Sequence, residues 1–237
     1  MKTVLVTRPE PGGQSLCQAI DAAGGQSVYF PTMEIHPLNT QNKTINECDI
    51  IIFTSPNAVI HANTLLDATK KAAVATVGAG TANALKQHNI KTDLCPDKQF
   101  NSEGLLELPE MQAVQNKKIV IVKGIAGRPL LEETLRARGA NLSTVCVYER
   151  KLPVVEQKRL DELFNRTDID IIVCTSCECL ENLFILATNH VAALRQQQLL
   201  VSSDRIARLA TSLQFQHKPI LTLNAQNETI VSSLFAE

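Results

Sequence analysis

The chain has 237 residues, 44% of them hydrophobic, with 23 basic and 24 acidic side chains and a net charge of −1. That length and apolar content suit two small globular domains better than one. Balanced charge, no Lys/Arg run and only 4% aromatic residues argue against a nucleic-acid surface, and no stretch of about 18 apolar residues offers a membrane span.

The N-terminal MKTVLVTRPEP reads as a first strand, because its apolar run is too short for the core of a signal peptide. Seven cysteines, an odd number without framework spacing, are expected to stay reduced, which points to the cytoplasm. Strands are predicted near 3–7, 27–30, 50–54, 74–77, 92–94, 118–122, 143–149, 169–174, 198–202 and 219–222. Several are unbroken Ile/Val/Leu runs, as expected of strands covered by helices on both faces. Helical patterns alternate with them near 12–23, 56–69, 79–89, 102–108, 128–138, 155–165, 177–187, 203–213 and 226–235. Asn101, Ser102 and Glu103 supply a cap and a first-turn acid, and Gly139 is placed to stop the helix that precedes it. Alternation of this kind predicts α/β architecture with parallel sheets flanked by helices.

The pattern occurs twice. Residues 2–34 and 117–149 each run strand, polar Gly/Pro loop, amphipathic helix, second strand. Aligning Val4–Val6 on Ile119–Ile121 also brings Gly24 onto Gly139. DIIIFTS at 49–55 likewise resembles DIIVCTS at 170–176. Two similar α/β lobes are expected, with a ligand cleft between them. Two extended Pro-bounded segments, 31–37 and 147–153, occupy matching places. They suggest that the chain leaves the first lobe and later returns, giving a discontinuous domain of 1–36 plus 152–237 and an inserted domain of 37–151. Two consecutive domains split near 118 are the alternative on repeat logic alone.

His36, His61, His88, His190 and His217 are scattered without metal-ligand spacing, and no G-x-S-x-G elbow or Walker-type phosphate loop is present. VGAGT at 77–81 follows a strand but lacks the third glycine of a dinucleotide fingerprint, so it reads as a tight turn. Cys174, Cys177 and Cys179 form C-x-x-C-x-C, which could hold a soft metal or form a redox pair. No second cluster completes a ligand set, and Cys174 ends a buried strand, so a packing role is expected.

The strand-to-helix turns carry more. Thr54, Ser55 and Pro56, the turn leading to Thr81, Lys123, Gly124 and Arg128, Thr175 and Ser176, and Ser202 and Ser203 all sit where a strand meets a helix N-terminus. Unpaired N–H groups at such turns suit carboxylates or phosphates. Arg8, Lys123 and Arg128 lie on matching loops and could add charge-assisted bonds. Several such turns in one chain point to a polyanionic small molecule. Tyr148 stands out because the chain has only Tyr29 and Tyr148 and no Trp. Placed in the return segment, its phenol could give a proton to a leaving hydroxyl.

These residues resemble the uroporphyrinogen-III synthase family along essentially the whole chain. The resemblance rests on VTRP at 6–9, IFTSPNA at 52–58, VGAGTA at 77–82, SEGLL at 102–106, GIAGR at 124–128 and VYE at 147–149. It implies two α/β lobes joined by a two-stranded linker, and so the discontinuous domain. It also implies a lyase that uses no cofactor and no metal. Its substrate would be hydroxymethylbilane, a linear tetrapyrrole polycarboxylate, closed to uroporphyrinogen III with loss of water and inversion of ring D. The family's catalytic tyrosine falls on Tyr148, and its substrate-binding turns fall on Thr54, Ser55, Pro56 and Thr81. The second-lobe turns depart from the family pattern: Cys177 stands where proline is usual, and Ser202 and Ser203 replace a Gly-x-x-Thr turn. A monomer is expected, with room for transient contact with the upstream bilane-forming enzyme. A non-catalytic two-lobed binder of a small polyanionic ligand is the alternative, and it leaves Tyr148 without a role.

Overall fold

The computed structural model describes residues 1–40, 45, 47–165 and 168–236. In chain order the elements are β1 (Thr3–Val6), α1 (Gly12–Ala22), β2 (Gln26–Tyr29), β3 (Glu34–Pro37), β4 (Ile50–Phe53), α2 (Pro56–Ile60), β5 (Ala73–Thr76), α3 (Ala79–Gln87), α4 (Ser102–Glu107), α5 (Pro109–Gln112), β6 (Lys118–Gly124), α6 (Leu130–Ala137) and β7 (Asn141–Lys151). They continue as α7 (Gln157–Phe164), β8 (Ile171–Cys174), α8 (Cys177–Leu186), α9 (Val191–Arg195), β9 (Gln198–Val201), α10 (Asp204–Ser212), β10 (Ile220–Leu221) and α11 (Asn227–Phe235). Two compact units result: Met1–Glu34 with Lys151–Glu237, and Ile35–Arg150. Among the described residues no helix is long and apolar enough to cross a membrane.

The first unit is built on a sheet in the order β10-β9-β8-β1-β2, with every pair parallel. Alternate residues of its strands pack in opposite directions. Val4, Val6, Ile171 and Val173 meet Leu16, Ile20, Ile230 and Leu234 of α1 and α11. Leu5, Ile172 and Leu199 meet Leu160, Leu180 and Ile206 of α7, α8 and α10. Helices on both faces are the reason these strands read as continuous apolar runs. Each fully buried Val, Leu or Ile removes apolar area worth about 1.5–3 kcal/mol.

The second unit repeats this scheme in the order β3-β7-β6-β4-β5. Ile51, Phe53, Val120 and Val122 pack toward Ala58, Val59, Ala84 and Leu85. Ile50, Ile52, Ile119 and Ile121 pack toward Leu105, Met111, Leu131 and Leu135. β3 and β7, the strands along which the chain passes between units, are neighbours at the edge of this sheet.

The internal repeat holds down to register. Val4 pairs with Ile171 as Ile119 pairs with Ile50. Asp170 accepts from the Thr3 N–H and Asp49 from the Lys118 N–H, each at 2.7 Å. The two aspartates therefore do the same work, closing the open end of the neighbouring strand. Chain order differs, however. The β1-α1-β2 segment comes first in its unit, whereas its counterpart β6-α6-β7 comes last. The units are circular permutations of one plan. Asp170→Ala should lower the stability of the chain by about 1 kcal/mol, the usual net worth of one intramolecular hydrogen bond. The shift in urea midpoint measures it, and an unchanged midpoint would show that the contact contributes nothing.

Local departures from the predicted elements have local causes. The helix expected over 56–69 stops at Ile60, and Asn63 takes a left-handed φ of 47° before a 3-10 turn over Asn63–Lys70. Asparagine tolerates that conformation better than most residues, so the chain can turn there. Pro109 opens a helix that apolar periodicity did not reveal, with Leu108 extended before it. The strand expected at 92–94 is a single bridge, Leu94 to Ala75. Gly24 and Gly139 both follow helices at φ of 85° and 82°, the stop predicted for Gly139.

Candidate active site

Parallel strands end on one edge of their sheet, and in the second unit three of them deliver the candidate residues. Thr54 and Ser55 follow β4, Lys123 and Gly124 finish β6, and Tyr148 lies in β7. With Arg128, Ser102, Glu132 and Arg150 they line a cavity of about 150 Å³.

Ser55 is the N-cap of α2. Its backbone is extended, its Oγ accepts from the Ala58 N–H at 3.1 Å, and Pro56 takes the first helical position. Proline suits that position because its missing N–H would have no helical partner. The Thr54 hydroxyl donates to the Val122 carbonyl at 3.4 Å. Tyr148 is 1% exposed and packs with Phe53, Val59 and Val122. Its phenol oxygen is 3.1 Å from Ser55 Oγ, and Arg150 Nη2 donates to it at 3.4 Å. The His61 ring lies 6.1 Å from the Tyr148 ring, and burial pushes its pKa down.

Gly124 has a role that its place in a turn did not suggest. A Cβ there would lie 2.7 Å from Tyr148 Cζ. The register between β6 and β7 slips at this point, so that Gly124 pairs with Tyr148 rather than with Val147. The absent side chain makes room for the phenol.

The cations are already paired. Lys123 Nζ meets Glu132 Oε1 at 2.6 Å, with both side chains less than one-fifth exposed. Arg128 forms a two-pronged pair with Glu103 at 2.5 and 2.9 Å, which raises its pKa. That pair is half-exposed and adds little stability. Any anion reaching these cations must compete with the protein's own carboxylates.

The other candidates lie elsewhere. Thr81 is 3% exposed in the first turn of α3 and does not line the cavity. Arg8, Thr175, Ser176, Ser202 and Ser203 belong to the first unit. Ser176 caps α8 through the Cys179 N–H at 3.1 Å, repeating Ser55. Ser202 donates to the Thr175 carbonyl at 3.1 Å, and Ser203 is the N-cap residue of α10. Arg8 spends its guanidinium on Asn227 Oδ1 and the Ala225 carbonyl, at 2.9 and 2.8 Å. It anchors the start of α11, and burial lowers its pKa.

Cys174 is completely buried and accepts from Thr7 Oγ1 at 3.5 Å. Burial pushes its thiol up to about 12 and so suppresses the reactive thiolate. Among the described residues no group of three His, Cys, Asp or Glu could hold a metal ion.

Several residues at or beside the site were not singled out as site residues in the sequence. Arg150 could have been found, since it stands two positions after Tyr148 and so on the same face of a strand. Glu132 carries no pattern of its own, and Ser102, Glu103 and His61, read in the sequence as two members of a helix start and a scattered histidine, come to the site only through the fold.

The description "Uroporphyrinogen-III synthase HemD" belongs to a family model that matches residues 14–220. Uroporphyrinogen-III synthase of Escherichia coli (strain K12) is 30% identical over 98% of this chain and 99% of its own length. That of Salmonella typhimurium is 31% identical over the same shares. The crystal structure of uroporphyrinogen-III synthetase from Helicobacter pylori 26695 superposes with a TM-score of 0.66 at 14% identity, covering 99% of this chain and 98% of that one, which shows a common fold. Given this match of family model, of sequence over nearly the full length and of architecture, the chain belongs to the uroporphyrinogen-III synthase family.

Proposed function

We propose that this chain closes hydroxymethylbilane to uroporphyrinogen III, with loss of water and inversion of ring D, and that Tyr148 supplies the proton for the departing hydroxyl. The observation that carries the reading is the buried Tyr148 phenol in the wall of a polar cavity, within reach of Ser55 and Arg150. In the first step the C–O electron pair leaves with oxygen, the phenol proton completes a water molecule, and the pyrrole nitrogen's electrons form a cationic azafulvene. The substituted carbon of ring D then attacks, giving a spiro intermediate that reopens and recloses inverted. The carbon that closes the ring loses a proton, which restores the phenol, so the only by-product is water.

Most of the protein's contribution on this reading is geometric. The azafulvene forms readily, and closure without restraint gives the uninverted isomer. Holding the bilane by its carboxylates in one folded arrangement is a proximity effect. Thr54, Ser55 and Pro56 are assigned to this task, with Thr81 at the start of α3. Lys123 and Arg128 join once a substrate carboxylate displaces Glu132 or Glu103, and Gly124 acts as the floor beneath Tyr148. In the first unit the helix-opening turns at Thr175, Ser176, Ser202 and Ser203 are carboxylate sites of the same kind. Arg8 contributes by anchoring α11. A cytoplasmic monomer fits this chemistry, with transient contact to the enzyme that makes the unstable bilane. A non-catalytic anion binder would leave the Tyr148 arrangement without a purpose.

The test is incubation with freshly generated hydroxymethylbilane, followed by oxidation and separation of the isomers. Type III porphyrin in excess of the uncatalysed type I is expected. Type I alone from folded protein would end the proposal.

A further inference from the structure

The wall of the cavity places two groups able to donate a hydrogen bond beside one oxygen. A phenol has one proton to give and two lone pairs to fill. Arg150 can only donate, and its Nη2 lies 3.4 Å from the Tyr148 oxygen with the guanidinium carbon 5.9 Å from the ring centre. Ser55 accepts from the Ala58 N–H with one lone pair and keeps its own proton, which it can turn to the phenol oxygen 3.1 Å away. Accepting one bond also makes a hydroxyl a better donor of the next.

We infer that Ser55 and Arg150 form a two-donor cradle for the Tyr148 phenolate, making them positioning residues for the proton transfer. The inference rests on the role proposed above for Tyr148. When the phenol proton passes to the leaving oxygen, Ser55 turns its hydroxyl toward the phenol and both lone pairs are met. The negative charge develops between a neutral donor and a cation that are in place beforehand, which is how preorganised donors stabilise a developing oxyanion. No atom other than the proton moves between partners. The phenolate is reprotonated by the proton that the ring-closing carbon releases, the first proton having left in water.

The two donors are fixed by different means. Ser55 is held by its capping bond to α2. Arg150 shares a strand face with Tyr148, two residues along β7.

The experiment is a mutant cycle on the intact enzyme with hydroxymethylbilane. Arg150→Met should lower kcat about 10- to 10²-fold, at the weak end for such a donor because the contact is long, and leave KM within about twofold. Arg150→Lys should recover part of the loss. In a Tyr148→Phe background Arg150→Met should remove nothing further, because the two side chains act on one proton. Ser55→Ala should lower kcat by a similar factor and also raise KM, because Ser55 is assigned to the bilane's carboxylates as well, and Ser55→Thr, which keeps hydroxyl and cap, should stay near wild type. A raised KM with kcat unchanged would make Arg150 a simple substrate cation and overturn the inference. So would losses that multiply in the double variant. Full activity in Tyr148→Phe alone defeats the underlying reading instead, and Tyr148→Phe impaired beside a fully active Arg150→Met defeats only the cradle. Thermal melts of each variant separate misfolding from these outcomes.

Discussion

Tyr148→Phe should lower turnover about 10²-fold while the protein still folds and its product remains type III. General acids contribute roughly 10² to 10⁴ in rate. The lower end is expected because the substrate's own pyrrole expels the hydroxyl, and the phenol only has to ease its departure. The substitution keeps the ring, which packs against Phe53, Val59 and Val122. Ser55 retains its bond to the Ala58 N–H, so the deleted hydroxyl leaves it partnered. The stability change should therefore stay within about 1 kcal/mol. Isomer identity is preserved because inversion depends on how the bilane is held, which the phenol does not decide. Steady-state rates and isomer separation on the purified variant test both halves. Wild-type turnover would take Tyr148 out of the chemistry, whereas a slow variant giving type I would mean that the ring side chain shapes the substrate's fold.

Much of this molecule is legible in its sequence. The runs Ile50–Phe53 and Ile171–Cys174 are buried on both faces, and an unbroken apolar run has no other economical place in an α/β layer. Gly24 and Gly139 fell at matching points of the repeat and both adopt the left-handed turn that ends a helix. What could not be read depends on where long or flexible groups settle. Arg8, Lys123 and Arg128 looked equivalent because they occupy matching loops. In the structure one ties down α11, one meets Glu132 and one grips Glu103. A loop position constrains a Cα, and an arginine side chain can then reach any acceptor around it. The strand order within each sheet was equally hidden, since a repeat in sequence reports similar segments and says nothing of which strand neighbours which. Cys174, Cys177 and Cys179 show the opposite case, a conspicuous spacing whose first member is a packed core thiol.

Gly124→Ala is expected to be as damaging to turnover as Tyr148→Phe, or more so, and unlike it to destabilise the fold. The added methyl would sit 2.7 Å from Tyr148 Cζ, 2.8 Å from Cε2 and 3.1 Å from the hydroxyl. Real side chains do not approach so closely, and a ring that is 1% exposed has no solvent to swing into. Either the ring shifts or β6 moves away from β7, at the point where the register already slips. Overpacking of this kind costs about 1–3 kcal/mol. A phenol displaced by about 1 Å loses its line to the leaving oxygen, an error that can cost 10²-fold on its own. The cause can be separated from general damage by a second substitution. Tyr148→Phe should not relieve Gly124→Ala, because the offending Cζ and Cε2 remain. Tyr148→Leu removes both atoms and should restore much of the melting temperature while leaving activity low. A Gly124→Ala enzyme with normal stability and normal turnover would show that the backbone yields freely here, and that glycine is not what seats Tyr148.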